Sequence, residues 1–260
     1  MKQQKYQIGD IRPSQLLWSY GVGAIIDMPH ISTMIMSLDD WGISKAEVLE
    51  EERLLAVVRT IRGPQVAALY QPPIGEMDSP YSPNPVGVPV INFPRWLVCS
   101  YCRLLAPIED DHFKLIPNPR RPERTCYRHE RCNKARNPIV FPARFMIACE
   151  GGHLDDFPWQ HFVHGNRPCN STLQLQEFGV TGETAGIYVK CLTCNERRPM
   201  SDAFSRDDDD RVYQPVCSGH SPHLRLKNRR KCEDKTHTIL LSAFERLVPT
   251  RLHHALAAHR

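Results

Sequence analysis

Two Cys-x-x-Cys pairs, Cys99/Cys102 and Cys191/Cys194, hold the most reactive chemistry in this chain, and each is followed downstream by two further cysteines. A Cys-x-x-Cys turn aims two thiolates at one point, and a tetrahedral Zn2+ ion needs two such half-sites brought together by the fold. The first set is Cys99, Cys102, Cys126 and Cys132; the second is Cys191, Cys194, Cys217 and Cys232. Histidines offer alternative donors, His129 for Cys126 or Cys132 and His220 for Cys217. A thioredoxin-like redox pair is the competing chemistry, but such pairs open helices in βαβ patterns and lack distal partners.

Of the ten cysteines, Cys149 and Cys169 remain, with His153 and His164 between them in the chain. Cys149-x3-His153 and His164-x4-Cys169 have the donor types and spacing of a further Cys2His2 site, so the sequence predicts two zinc ions, or three if these four residues converge. A different chemistry lies in Gly152-His153-Leu154-Asp155-Asp156, where a histidine beside two carboxylates could serve a metal-dependent nuclease or hydrolase. Neighbouring carboxylates serve more simply as a helix cap and an ion-pair partner, so no catalytic residue is assigned. Gly21-Val22-Gly23 lacks the third glycine and the helix of a dinucleotide fingerprint, and the chain has neither a P-loop nor a Gly-x-Ser-x-Gly elbow.

The elements that must carry these ligands are strands. Trp96-Leu97-Val98 leads into Cys99 and Ile187-Tyr188-Val189 into Cys191, each an apolar approach ending at a knuckle. The stretch from Ile139 to Ala148 reads as one buried strand, with Pro142 marking an edge or bulge, and it delivers Cys149. Asp155 or Asp156 is placed to cap a short helix after it. Near the N-terminus, Ala24 to Ile26 and Thr33 to Leu38 read as strands. Ser44 and Glu47 form a capping-box pattern for a helix through Val48, Leu49, Leu54 and Leu55.

The expected class is α+β: a small mixed N-terminal region followed by zinc-ribbon or knuckle-like modules with short strands and few helices. The segments are an N-terminal region (1–70), a proline-rich connector (71–94) and a first zinc module (95–148). A linking segment with the further metal site (149–185), a second zinc module (186–235) and an apolar to amphipathic tail (236–260) follow. With 41% hydrophobic residues and 22 prolines, the core is lean, which metal staples offset.

Residues Met1 to Tyr6 have no apolar core of a secretory signal, so the expectation is a cytoplasmic protein with reduced thiols rather than disulfides. No apolar run approaches the roughly 20 residues that cross a bilayer, and no membrane partner is expected. The net charge is only +4, yet Arg120, Arg121, Arg124, Arg128, Arg131, Lys134 and Arg136 face only Glu123 and Glu130 within one short stretch. That local surplus suits a phosphate backbone, and equally a solvated loop. The aspartates at 207–210 read as a solvated loop tip.

Several blocks together suggest a family. Arg12-Pro13-Ser14-Gln15-Leu16-Leu17, Tyr20 to Pro29, Phe93-Pro94-Arg95-Trp96 before Cys99, Pro142-Ala143-Arg144-Phe145, Gly152 to Trp159 and Val163-His164-Gly165 resemble the DrmB family, zinc-binding and helicase-associated subunits of the bacterial DISARM anti-phage system. The blocks span almost the whole chain, down to the Cys191/Cys194 set. The resemblance implies a non-catalytic accessory subunit that partners a DrmA-type helicase, which supplies the ATPase, and engages foreign DNA in a module that includes a methyltransferase. It also implies structural zinc. Val22 departs from the family pattern, where proline is expected, and family members run longer, which implies a C-terminally shortened relative.

Overall fold

A computed structural model of the chain describes residues 7–9, 11–42, 46–73, 87–169, 171–178, 186–204, 213–225 and 231–241. The aspartate run and the tail beyond residue 241 lie outside them. The architecture is α+β, with antiparallel strands in three sheets and short helices. No helix among the described residues is long and apolar enough to cross a membrane.

The N-terminal sheet joins β1 (Ile25–Asp27), β2 (Ser32–Ile35) and β3 (Val90–Asn92) in that order. Helix α1 (Pro13–Trp18) sets Leu16 into a cluster with Ile35 and Trp41. Helix α2 spans Glu52–Arg62 and so begins later than the sequence pattern places it. Val48 instead pairs with Tyr70 as a β-bridge, and the Leu49 and Gln71 amides donate to the Leu69 and Glu47 carbonyls. The returning chain takes up the backbone groups that a helix would have used, and β-branched Val48 suits the extended state. Ser44, the expected cap, lies outside the described residues.

An eight-stranded sheet holds the centre of the molecule. Its strands are β4 (Trp96–Cys99), β5 (Leu104–Pro107), β6 (Lys114–Ile116), β7 (Cys126–Arg128), β8 (Ile139–Pro142), β11 (Leu173–Glu177), β12 (Ile187–Cys191) and β13 (Arg197–Pro199). Their order is β13-β12-β11-β5-β4-β8-β7-β6. Strands that the sequence divides among 95–148, 149–185 and 186–235 therefore share one sheet. The third sheet is β9 (Phe145–Ala148) between β10 (Leu154–Asp156) and β14 (His237–Leu240).

The stretch expected as one strand from Ile139 is thus two, β8 and β9, in different sheets. Pro142 has no amide to continue the ladder, the Ala143 amide donates to the Trp96 carbonyl, and the chain turns a corner before Phe145. Asp155 and Asp156 lie in β10 rather than capping a helix. Helix α3 (Trp159–His164) starts after Pro158 with no side-chain cap.

Alternation along the strands divides the large sheet's two faces. Val98, Leu105, Leu173, Leu175, Val189 and Cys191 face one cluster, built on fully buried Phe157, Trp159 and Phe162. Leu97, Cys99, Leu104, Ala106 and Val140 face a second cluster with Phe113 and Tyr127. The knuckles carrying the cysteines sit at strand ends around these two cores.

Candidate metal centres

Strand β4 ends on Cys99 and the chain reverses at once: the Arg103 amide donates to the Cys99 carbonyl, with Arg103 in the left-handed region at φ 61°. This turn presents Cys99 and Cys102. Past β7, His129 and Cys132 form a second turn of the same spacing, and the four donor atoms lie within 4.8 Å of one another. Cys99 Sγ is 3.9 Å from Cys132 Sγ, and Cys102 Sγ is 3.4 Å from His129 Nδ1. Burial, joined by the neighbouring Cys99, pushes the Cys102 thiol up to about 12, and burial also lowers the His129 imidazole.

The second cluster is His164, Cys169, Cys191 and Cys194. His164 closes α3, and its Nδ1 faces the Gln160 carbonyl at 3.0 Å, which fixes Nδ1 as the protonated nitrogen and leaves Nε2 an acceptor. That Nε2 is buried with no hydrogen-bond partner. An orphaned imidazole nitrogen among three thiols is the arrangement a metal would satisfy. Cys169 and Cys191 are 3.9 Å apart, and the Thr193 and Cys194 amides donate to Cys191 Sγ. Against the upward push of burial, the Cys194 amide and Ser171 hold the Cys191 thiol down at about 5.

The third cluster joins Cys149, His153, Cys217 and Cys232. Gly152, at φ +81°, turns the chain so that the Cys149 amide meets the His153 carbonyl, and Cys149 Sγ lies 3.4 Å from His153 Nδ1. Cys217 and Cys232 are brought together by the Cys217 amide bonding to the Asp234 carbonyl and the Thr236 amide to the Pro215 carbonyl. Burial pushes the Cys217 thiol up to about 12, and the Gly219 amide donates to its sulfur.

A tetrahedral zinc with bonds of about 2.3 Å to sulfur and about 2.05 Å to nitrogen sets ligand separations of about 3.8 Å between sulfurs and about 3.6 Å between sulfur and nitrogen. The observed 3.9 Å and 3.4 Å spacings fit that shell. The three clusters could hold metal ions, and their chemistry of three thiolates and one imidazole is one that zinc favours.

The grouping differs from the sequence pairing in two ways. Cys126 is buried in β7 opposite Ile116 and takes no part in the first cluster, where His129 stands in its place. The His129-x-x-Cys132 spacing, a copy of Cys99-x-x-Cys102, was the signal available. Cys191/Cys194 and Cys217/Cys232 do not share a site, and the four residues expected to converge separately do not meet each other. Each half-site instead pairs across: His164 and Cys169 with Cys191 and Cys194, Cys149 and His153 with Cys217 and Cys232. Strand β11 lies between β12 and β5, and β14 pairs with β9, which carries the half-sites apart.

His220 is not a cluster donor. Its Nδ1 lies 2.9 Å from Asp155 Oδ1, while Ser218 Oγ donates to Asp155 Oδ2 at 2.5 Å. Burial opposes ionisation of Asp155, and the His220 and Ser218 bonds outweigh it, so the carboxyl stays below its usual range. Asp156 accepts from the Arg95 amide and Arg95 Nε, both at 2.7 Å. Both carboxylates thus serve bridges, and neither joins His153 at a common point.

Arg120, Arg121, Arg124 and Arg131 are exposed and form no ion pair among the described residues. Arg128 is half-buried and donates to the Asn137 carbonyl. Together they lie on and around β7, beside the first cluster, but Tyr127 between them is buried in the second core and offers no stacking face.

Residues 12–246 match the family described as "Domain of unknown function (DUF8724)". The chain is also 30% identical over 154 residues to the DISARM protein DrmB of Bacillus paralicheniformis, an alignment covering 56% of this chain and 24% of that protein. The chain therefore spans about a quarter of the length of that curated relative.

Proposed function

The chain belongs to the family described as a domain of unknown function (DUF8724), and from that premise we propose a metal-stapled, non-catalytic subunit of a DISARM-type anti-phage complex. The similarity to the DISARM protein DrmB carries the reading. In it the subunit partners a DrmA-type helicase in the cytoplasm, and the helicase supplies the ATP-driven chemistry.

Zinc is the ion proposed for all three clusters, held by Cys99, Cys102, His129 and Cys132, by His164, Cys169, Cys191 and Cys194, and by Cys149, His153, Cys217 and Cys232. When bound, it supplies crosslinks and no open coordination position, because four protein donors close the shell. The protein's own residues do the rest. The knuckle turns fix where the strands end, and the Asp155–His220 and Asp156–Arg95 pairs hold β10 against neighbouring loops. DNA contact is assigned to Arg120, Arg121, Arg124, Arg128 and Arg131, supported by the exposure of four of them and their lack of ion pairs among the described residues.

The test is co-expression with a DrmA-type helicase. A tagged helicase should retain the chain through purification, and deleting the chain should raise phage plating in a host that carries the whole system. Separate elution together with unchanged plating would overturn the reading.

A further inference from the structure

Among the described residues, one end of the large sheet is only partly covered on the side opposite the Phe157–Trp159 core. Antiparallel register places Gln174 beside Lys190, Gln176 beside Tyr188, Lys190 beside Arg197 and Tyr188 beside Pro199. These residues share a face, since their neighbours Leu173, Leu175, Val189 and Cys191 all point into the core. Phe178 continues the same face beyond β11 and is 56% exposed. Towards β5 the face ends at the first metal cluster, where Gln174 Nε2 donates to the Cys102 carbonyl and the adjacent Tyr101 is 60% exposed.

The surface chemistry is specific. Arg197 lays its guanidinium over the Tyr188 ring at 3.8 Å and over Phe178 at 4.9 Å, and the two rings meet edge to face at 5.8 Å. Lys190 forms no ion pair among the described residues. The nearby carboxylates are directed elsewhere, Glu177 to Arg103 and Glu196 to Arg167. Among the described residues the face thus combines cations without a carboxylate, flat aromatic and guanidinium planes, and the amides of Gln174 and Gln176.

We propose that this open face of β11, β12 and β13 binds single-stranded nucleic acid, bases stacking on the Phe178, Tyr188 and Arg197 planes and Lys190 meeting phosphate. Stacking on aromatic rings and guanidinium planes is available only to unpaired bases, and a surplus of cations matches a polyanion. An acidic peptide would match the charge but leave the planes unused. The proposal rests on the reading above only in expecting nucleic acid as a ligand; its site is separate from the arginines around β7.

The test uses the full chain, purified with its metal, and a fluorescent short oligothymidylate, the matching oligouridylate and a short DNA duplex. Phe178→Ala with Tyr188→Ala should weaken single-strand binding about tenfold or more, given stacking of about 1–3 kcal/mol per base, while duplex affinity holds. Tyr188→Phe should retain it. Arg197→Lys, which keeps the charge and removes the plane, should weaken binding even if the alanine pair disturbs folding. Lys190→Gln should flatten the salt slope by about 0.7, one phosphate's worth for a single strand. Either oligonucleotide binding in this pattern supports the proposal.

Single-strand affinity within about twofold of the parent in all of these variants, with metal content and circular dichroism unchanged, would overturn the proposal. If Arg120→Glu with Arg121→Glu then abolishes binding, the DNA reading stands and only this face is wrong. A parent chain that binds no probe, alone or with its helicase, would overturn both.

Discussion

Cys149 Sγ and Cys232 Sγ lie 3.9 Å apart although 83 residues separate them in the chain. Between them runs the whole second cluster, so the third cluster closes a loop around it, and one cluster's ligands cannot be read off without the other's. This crossing makes the ligand grouping testable by counting ions. Elemental analysis of the reduced protein should return three zinc ions per chain. Cys191→Ser with Cys217→Ser should leave one, because the residues belong to different clusters. Two ions remaining in that double variant would show that the pair shares a site.

Cys126 and His129 offer a second count. Cys126→Ser should leave three ions, since the thiol lies outside the cluster, whereas His129→Ala should leave two. The buried serine hydroxyl costs on the order of 1–3 kcal/mol where it finds no partner, which lowers stability without removing a ligand. Loss of an ion from Cys126→Ser alone would return Cys126 to the ligand set.

The knuckles were legible because Cys-x-x-Cys is a local pattern, fixed by a turn of four residues. Their partners were not, because pairing depends on strand order, and nothing in the segment from Cys191 to Cys232 encodes that β11 inserts between β5 and β12. The same limit moved the start of α2. Val48 and Leu49 fit a helical pattern by themselves, and only the distant segment around Tyr70 converts them to a bridge. Pro142 pointed to an edge or bulge within one strand, whereas the chain turns a corner there between two sheets, because the partners of β8 and β9 lie in different sheets.

His223 should confer pH dependence. Burial, followed by the charge of His220, lowers its pKa, its ring packs on Gly23, and its carbonyl accepts from the Ser37 amide. The unfolded chain takes up the proton near pH 6.5, while the folded chain resists it. Stability from this group is therefore intact above about pH 6.5 and is lost as pH falls through the lower folded value. The melting temperature of the parent should fall more steeply between about pH 6.5 and 5 than that of His223→Gln. Protonation of the cluster ligands affects both proteins alike and cancels in the comparison. Parallel curves would mean that His223 is not held neutral.

The Arg95–Asp156 pair should matter for stability and not for metal. Asp156 is almost fully buried and accepts two 2.7 Å bonds from one residue, so it fixes β10 to the start of β4. Burial pushes its carboxyl up while Arg95 pulls it down, so the charge is retained only through this partner. Breaking a fully buried pair costs about 3–5 kcal/mol, and Arg95 keeps a third of its side chain in water, which lowers the expected cost of Asp156→Ala to about 2–3 kcal/mol. Urea denaturation should register that loss while the zinc count stays at three. A variant that unfolds at the parent's urea midpoint would show that the pair does not secure the β10 to β4 contact, and one that sheds an ion would show that Asp156 serves the metal chemistry.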